Sequence, residues 1–141
     1  MTVLVTGGAG YIGSHTVRAL RAQGSQVVVL DSLEYGHEEA LLGAELVRGN
    51  ICDRDLVAST CRSHDVTQVV HFAAYKSVGE SMEQPGRYWL NNVAGTVDLV
   101  EAILGAGVSE IVFSSSCSVN GTPAVVPVTE DAPIAPESVY A

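Results

Sequence analysis

The sequence has few basic residues: seven Lys and Arg stand against 16 Asp and Glu, and the formal net charge is −9. So acidic a chain lacks the positive surface that attracts nucleic acid and anionic membranes, so we expect neither as a partner. It also lacks an apolar run of 18 residues and therefore a candidate transmembrane helix. No basic segment precedes the first apolar residues, which argues against a secretory signal peptide.

Cysteine is scarce and scattered, because Cys52, Cys61 and Cys117 form an odd set without Cys-x-x-Cys spacing. This pattern predicts reduced, buried thiols in a cytoplasmic protein rather than a disulfide framework. The four histidines form no ligand pattern with the cysteines, so we expect no metal site. Apolar residues make up 47% of the 141 residues, which is enough for a sizeable core in a single domain spanning residues 1–141.

Glycine, by contrast, is concentrated in one motif, Thr-Gly-Gly-Ala-Gly-Tyr-Ile-Gly at residues 6–13. An apolar segment that predicts a strand precedes it, and a segment with helical spacing follows, which is the context of a dinucleotide-binding fingerprint. The motif reads G-x-x-G-x-x-G through Gly7, Gly10 and Gly13, and G-x-G-x-x-G from Gly8. Such glycines allow a sharp turn, let backbone N–H groups approach a pyrophosphate, and bring the helix close to the sheet. The N-terminus of that helix favours the phosphates.

Asp31 strengthens this interpretation. It lies 18 residues after Gly13, at the end of the apolar run Val27–Leu30. An acidic side chain at this place accepts hydrogen bonds from the ribose hydroxyls of NAD. NADP would require a cation for its 2′-phosphate, whereas Ser32, Leu33 and Glu34 follow here. We therefore expect NAD as the cofactor.

Apolar runs that alternate with helical patterns predict an α/β fold with a Rossmann-type parallel sheet, strand order 3-2-1-4-5, and helices on both faces. We predict strands at 1–5, 27–30, 44–48, 68–72 and 110–113, a helix after the glycine motif, one from Asp53 to about Ser63, and a long one from 84–85 to 104. Residues 34–43 predict a loop with a short helix, Ala73-Ala74 a turn, and the segment from 114 to 137 an extended loop. Small or polar residues follow all five strands, which predicts a cleft for an extended cofactor.

Five motifs carry a resemblance to a known family. They are the glycine motif at 6–13, His-Phe-Ala-Ala-Tyr-Lys-Ser-Val-Gly-Glu-Ser at 71–81, Asn-Asn-Val-Ala-Gly-Thr at 91–96, Phe-Ser-Ser-Ser at 113–116 and Pro-Glu-Ser-Val-Tyr at 136–140. With them the chain resembles the extended short-chain dehydrogenase/reductase family and, within it, the branch of UDP-glucose 4-epimerases. The motif at 71–81 is the most specific to that branch. The resemblance covers essentially the whole chain.

The resemblance implies a role for individual residues. Tyr11 and Ile12 would contact the NAD pyrophosphate through their backbone N–H groups, and Asp31 would hold the ribose. The remaining contacts that it implies, to the cofactor or the sugar-nucleotide entrance, are those of Asn50, Ile51, Phe72, Ala73, Ala74, Lys76 and Asn91. Two positions depart from the family: Asn50 stands where aspartate is usual, and Asn120 where a tyrosine often precedes Gly121.

The resemblance also implies a reaction, in which Ser116 and Tyr140 would face the sugar of a UDP-hexose. Tyr140 would take the proton of the 4-hydroxyl while hydride moves from C4 to NAD. The hydride would later return to the other face of the sugar, a reaction that belongs to galactose metabolism. Tyrosine ionises near pH 10 on its own, so it needs a cation, and the family's lysine would lie beyond Ala141. We therefore expect an N-terminal part of a longer, homodimeric enzyme, inactive alone, with Tyr140 loosely held near a chain end.

Two alternatives remain open. One is another NAD-dependent sugar-nucleotide enzyme, such as a 4,6-dehydratase or a decarboxylase. Those relatives commonly carry acidic residues just after the strand-5 serines, whereas this chain has Ser116, Cys117 and Ser118, which favours epimerisation. The other is a non-catalytic dinucleotide-binding module.

Overall fold

The computed structural model describes all residues from 1 to 141 and contains one sheet of five parallel strands. The strands are β1 (Thr2–Thr6), β2 (Gln26–Asp31), β3 (Glu45–Arg48), β4 (Val66–His71) and β5 (Glu110–Phe113). Their order across the sheet is β3-β2-β1-β4-β5, with Val5 opposite Val29 on one side and Val70 on the other. The predicted α/β fold and strand order are confirmed.

Helices connect the strands, and two of the five begin at a polar side chain that caps them. They are α1 (Tyr11–Ala22), α2 (Arg54–Ser63), α3 (Val78–Glu83), α4 (Pro85–Tyr88) and α5 (Gly95–Gly105). Asp53 caps α2 by accepting from the Leu56 N–H at 3.0 Å, and Ser77 caps α3 by accepting from the Glu80 N–H at 3.4 Å. A π-helical segment, Trp89–Ala94, joins α4 to α5, so the long helix predicted to begin at 84–85 exists with an irregular middle. The sequence did not predict α3.

Two apolar cores lie on opposite faces of the sheet, because successive strand residues point to opposite sides. Leu4 packs with residues of α2 and α5, among them Val57 and Leu99, and all three side chains are fully buried. On the other face Val3 and Val5 pack with Val17 of α1. Helices therefore cover both faces, as predicted. No helix combines the length and the apolar character that a membrane crossing requires.

The segment after β5 folds back towards α3. A 3-10 turn at Cys117–Asn120 interrupts the predicted extended loop. The Asn120 side chain donates to the Pro133 carbonyl at 3.1 Å, so this departure from the family pattern fastens the proline-rich loop. At the end of the loop the Tyr140 N–H donates to Ser81 Oγ at 3.1 Å. The expectation that Tyr140 is loosely held was wrong, because the fully buried Ser81 of α3 fixes its backbone.

Candidate functional site

One cavity of about 650 Å³ runs along the carboxyl ends of the strands. It has the size of a small-molecule site and the position at which parallel sheets bind ligands. The side chains and backbone that line it include every residue predicted to bind the cofactor: Gly7, Gly10, Tyr11, Ile12, Gly13, Asp31, Asn50, Ile51, Phe72, Ala73, Ala74, Lys76 and Asn91. Tyr140 lines the same cavity. The structure thus brings these residues together, and their individual roles stay predictions.

The glycine turn is packed so tightly that side chains do not fit. Gly7 has a φ of +70°, and a Cβ there would lie 2.6 Å from the backbone nitrogen of Ala73. A Cβ on Gly13 would lie 2.2 Å from the Gly7 carbonyl oxygen, so α1 begins directly against the turn. No side chain caps α1, which leaves the N–H groups of Tyr11 and Ile12 without intrahelical acceptors at the cavity wall. Such a turn suits an anion.

Asp31 is held in place by backbone donors on both sides. Its Oδ2 accepts from the Ala9 N–H at 2.9 Å, and its Oδ1 accepts from the Leu33 N–H at 2.8 Å. The residue is only 8% exposed, yet it lines the cavity. Each carboxylate oxygen has a second lone pair, so both can still accept from ribose hydroxyls. This carboxylate is an acceptor whose position is set before any ligand arrives.

The end of the cavity next to Asp31 is formed by residues that follow β3. Ile51 is buried, with 4% of its surface exposed, and contributes an apolar wall. The Asn50 side chain accepts from the Cys52 N–H through Oδ1 at 3.0 Å. Asn50 therefore makes a local bond that an aspartate could also make, and the turn is intact.

A buried histidine connects β1, β4 and the long helix. His71 Nδ1 lies 2.6 Å from Thr6 Oγ1, and His71 Nε2 lies 3.1 Å from Thr96 Oγ1. Thr96 donates its hydroxyl proton to the Asn92 carbonyl at 2.7 Å, so it accepts from Nε2–H and the histidine carries its proton there. Burial lowers the pKa of His71 from 6.5 to about 4, which keeps the ring neutral near pH 7. His71 is a structural histidine of the core.

Asn92 anchors the loop after β4, and sequence reasoning missed it beside the predicted Asn91. Its Oδ1 accepts from the Tyr75 N–H at 2.9 Å, and its Nδ2 donates to the Tyr75 carbonyl at 2.8 Å. Asn91 Nδ2 donates to the same Oδ1 at 2.9 Å. The amide orientation is thereby fixed, and the loop that carries Ala73 and Lys76 is held against the π-helical segment.

Sequence reasoning also missed a polar cluster at the rim of the cavity, built around Arg87. The guanidinium donates to Glu34 and, at 2.5 Å, to Glu80, and it lies 4.2 Å from the centre of the Tyr75 ring. Tyr75 Oη donates to Glu34 at 2.8 Å. Burial raises the pKa of Tyr75, and the bond to Glu34 raises it further, so the phenol keeps its proton. No local spacing reveals this cluster, because its members come from two loops and two helices.

A second tyrosine, Tyr88, is hydrogen-bonded to the cluster built around Arg87. Tyr88 is 2% exposed, donates to Glu80 Oε2 at 2.7 Å and accepts from the Ser77 N–H at 3.0 Å. Burial is the main cause that raises the pKa of Tyr88, and the bond to Glu80 adds to it. Its ring also meets the Tyr140 ring edge to face, with centroids 6.5 Å apart. Tyr88 therefore joins the cluster to the far end of the cavity.

At that far end the two predicted catalytic residues differ in position. Tyr140 is half-buried and lines the cavity together with Ser114 and Ser115, which follow β5. Ser116 does not line it. Its Oγ lies 2.6 Å from Ser118 Oγ and accepts from the Ser118 N–H at 3.2 Å, so Ser116 caps the 3-10 turn. The structure thus brings Tyr140, but not Ser116, to the predicted cofactor residues.

Comparisons with known proteins agree with this geometry. The model of the NAD dependent epimerase/dehydratase family matches residues 3–141. A UDP-glucose 4-epimerase of Halalkalibacterium halodurans is 46% identical over 140 residues, which are 99% of this chain and 42% of that protein. The crystal structure of the Brucella ovis UDP-glucose 4-epimerase with NAD gives a TM-score of 0.94 at 41% identity, covering 99% of this chain and 43% of the other.

A dehydratase has a closely similar fold as well. The crystal structure of dTDP-glucose 4,6-dehydratase from Streptomyces venezuelae, with NAD bound, gives a TM-score of 0.89 at 38% identity. It covers 99% of this chain and 47% of the dehydratase. This chain therefore spans less than half the length of the relatives described here.

Proposed function

Because the chain belongs to the NAD dependent epimerase/dehydratase family, we propose that it forms the NAD-binding part of a UDP-glucose 4-epimerase. One observation carries the proposal: a single cavity contains the glycine turn, the Asp31 carboxylate and the Tyr140 phenol. Of the tyrosines that line the cavity, Tyr140 is the one to which the family resemblance assigns a chemical role, and its position supports an enzyme over a non-catalytic binding module. The epimerases from Halalkalibacterium halodurans and Brucella ovis support the specific activity through their sequence identity.

The cavity fits NAD. The N–H groups of Tyr11 and Ile12 would hold the pyrophosphate at the start of α1, and Asp31 would accept from the adenosine ribose. NADP is disfavoured because no cation follows Asp31 in its loop and because Arg87, which reaches that loop through Glu34, is paired with Glu34 and Glu80. A 2′-phosphate placed beside Asp31 and Glu34 would therefore meet two carboxylates.

The residues at the other end would handle the proton of the reaction. NAD, when bound, would supply the hydride acceptor that oxidises C4 of the hexose and later returns the hydride to the opposite face. Tyr140 Oη would take the proton of the 4-hydroxyl and give it back. Ser116 Oγ would hydrogen-bond the sugar after it leaves Ser118, and Lys76 would provide a positive charge at the sugar-nucleotide entrance. After the hydride and the proton have been returned to the sugar, NAD and Tyr140 would be in their starting states.

We also propose the setting in which this reaction takes place. UDP-glucose and UDP-galactose interconversion belongs to galactose metabolism, and three free thiols fit the reducing cytoplasm. Only Cys61 is buried, however, so the expectation of buried thiols was wrong for Cys52 and Cys117, which are exposed. The outer face of the long helix presents Leu90, Val93 and Val97, which are 70%, 47% and 52% exposed. Such an apolar stripe at helical spacing supports a homodimer.

The second candidate is a sugar-nucleotide 4,6-dehydratase, which the structural similarity to the Streptomyces venezuelae enzyme supports. The chain argues against it at one place, because Cys117 and Ser118 supply no carboxylate after β5 to expel water. The test is to incubate the natural protein with UDP-galactose and analyse the products by NMR. UDP-glucose formed without net consumption of NAD would support epimerisation, whereas a 4-keto-6-deoxy sugar would establish the dehydratase and reject the epimerase.

A further inference from the structure

Three side chains join two walls of the cavity that are distant along the chain. Glu34 lies in the loop after β2, Tyr75 in the loop after β4, and Arg87 in α4. Arg87 donates to Glu34 Oε1, Tyr75 Oη donates to Glu34 Oε2 at 2.8 Å, and the guanidinium lies over the Tyr75 ring. Both oxygens of Glu34 are thus engaged from the opposite wall. We call Glu34, Tyr75 and Arg87 the strap.

The sheet topology shows what the strap crosses. Because β1 lies between β2 and β4, a link from the loop after β2 to the loop after β4 passes over the carboxyl end of β1. That end is the glycine turn. Asp31 lies on the β2 side of the strap, while Tyr140 and Ser114 lie beyond β4. An extended dinucleotide that reaches from Asp31 to Tyr140 must therefore pass between the glycine turn and the strap.

The two ends of the strap are not equally fixed. Arg87 is also bound by Glu80 at 2.5 Å, and Glu80 in turn accepts from the buried Tyr88. Tyr75 is held through its backbone by Asn92. The Glu34 side chain makes no comparable contact with its own loop and is 41% exposed. Opening the strap therefore requires that Glu34 leaves Arg87 and Tyr75. The neighbouring Tyr35 must also give up the bond from Arg87 at 3.3 Å and its edge-to-face contact with the Tyr75 ring, while the other wall stays intact.

We propose that the strap retains a bound dinucleotide and sets the rate at which it dissociates. This inference rests on the proposed function, in which the hydride returns to the substrate and the cofactor has no reason to leave between turnovers. The strap closes the path out of the cleft with an ion pair, a hydrogen bond and a cation–π contact. Weakening these contacts should raise the dissociation rate of the dinucleotide and change the stability of the fold little, because all three contacts lie at the rim of the cavity.

The test measures NADH release from the natural protein by stopped-flow fluorescence, with excess NAD added to prevent rebinding. Glu34→Gln keeps the shape of the side chain and removes its charge, so we expect release to become about ten-fold faster. Tyr75→Phe should accelerate release by a smaller factor. The matched control is Arg54→Ala, which removes the exposed pair between Arg54 and Asp98 at 2.6 Å outside the cavity and should leave release unchanged.

Salt provides a readout that a purely structural role would not change. Raising the salt from about 0.05 to about 0.5 M should accelerate NADH release from the wild-type protein and have little effect on Glu34→Gln, because screening acts on the charge pair. Equal rates of NADH release in wild type and Glu34→Gln, or the same salt response in both, would overturn the proposed role of the strap. Failure of the wild-type protein to bind NADH at all would instead overturn the proposed function.

Discussion

The glycine turn allows the sharpest stability prediction, through the substitution Gly7→Ala. A side chain at a φ of +70° costs about 1–2 kcal/mol, because the left-handed conformation is strained for every residue with a Cβ. The added Cβ would also lie 2.6 Å from Ala73 N and 2.8 Å from the Phe72 carbonyl carbon. Backbone atoms cannot rotate away, so the turn and the end of β4 must separate at a further cost of about 1–3 kcal/mol.

Gly24→Ala is the matched control. Gly24 has a similar φ of +85°, but a Cβ there meets nothing within 4 Å. It should therefore lose only the conformational part, about 1 kcal/mol, against a total of about 3 kcal/mol for Gly7→Ala. Urea unfolding of the natural protein measures both values, and equal m-values justify the comparison. An equal loss in the two variants would show that the turn does not pack against the loop after β4, and the description of the site would be wrong.

Three further predictions concern other parts of the site. The pKa of His71 falls from 6.5 to about 4 on folding, so the contribution of the neutral ring to the free energy of unfolding is complete above pH 6.5 and is lost as the pH falls towards 4. Urea unfolding should show about 2 kcal/mol less stability at pH 5 than at pH 7, and His71→Asn should lack this loss. The same dependence of stability on pH in His71→Asn as in the wild type would contradict this prediction. Asn92→Ala removes both bonds to the Tyr75 backbone and should cost about 2 kcal/mol, with weaker NAD binding by calorimetry; unaltered binding would show that the loop needs no anchor. Tyr140→Phe should slow epimerisation on the order of 10²–10⁴-fold and Ser116→Ala less, in a coupled UDP-glucose assay; full activity of Tyr140→Phe would exclude it as the base.

The fold and the position of the glycine turn and Asp31 at one cavity could be predicted because their signals are local. Each strand is a short apolar run bounded by glycine or polar residues, and the glycine turn and Asp31 belong to one βαβ unit with a fixed spacing. Their position at the carboxyl ends of parallel strands then follows from topology alone. Ile51 and Asn91 were instead assigned through the family resemblance, and the structure places both at the cavity.

The parts that could not be predicted depend on contacts between distant segments. Nothing near Glu34 in sequence indicates that it meets Arg87, 53 residues later. The short helix α3 depends on the Ser77 cap and on burial of Ser81 beneath the Tyr140 backbone, which no periodicity reveals. The orientation of Ser116 is decided by its bond to Ser118, a competition that a motif cannot show.

The most direct test of the account is a calorimetric titration of the natural protein with NAD and with NADP, repeated on Asp31→Ala. The account predicts that NAD binds more tightly than NADP, because Asp31 would accept from the ribose and the residues that follow Asp31 offer no cation to a 2′-phosphate. Asp31→Ala should weaken NAD binding by about ten-fold and narrow the difference between the two cofactors. Equal affinities of the wild-type protein for NAD and NADP, or an Asp31→Ala variant that binds NAD as the wild type does, would contradict the assignment of the cavity.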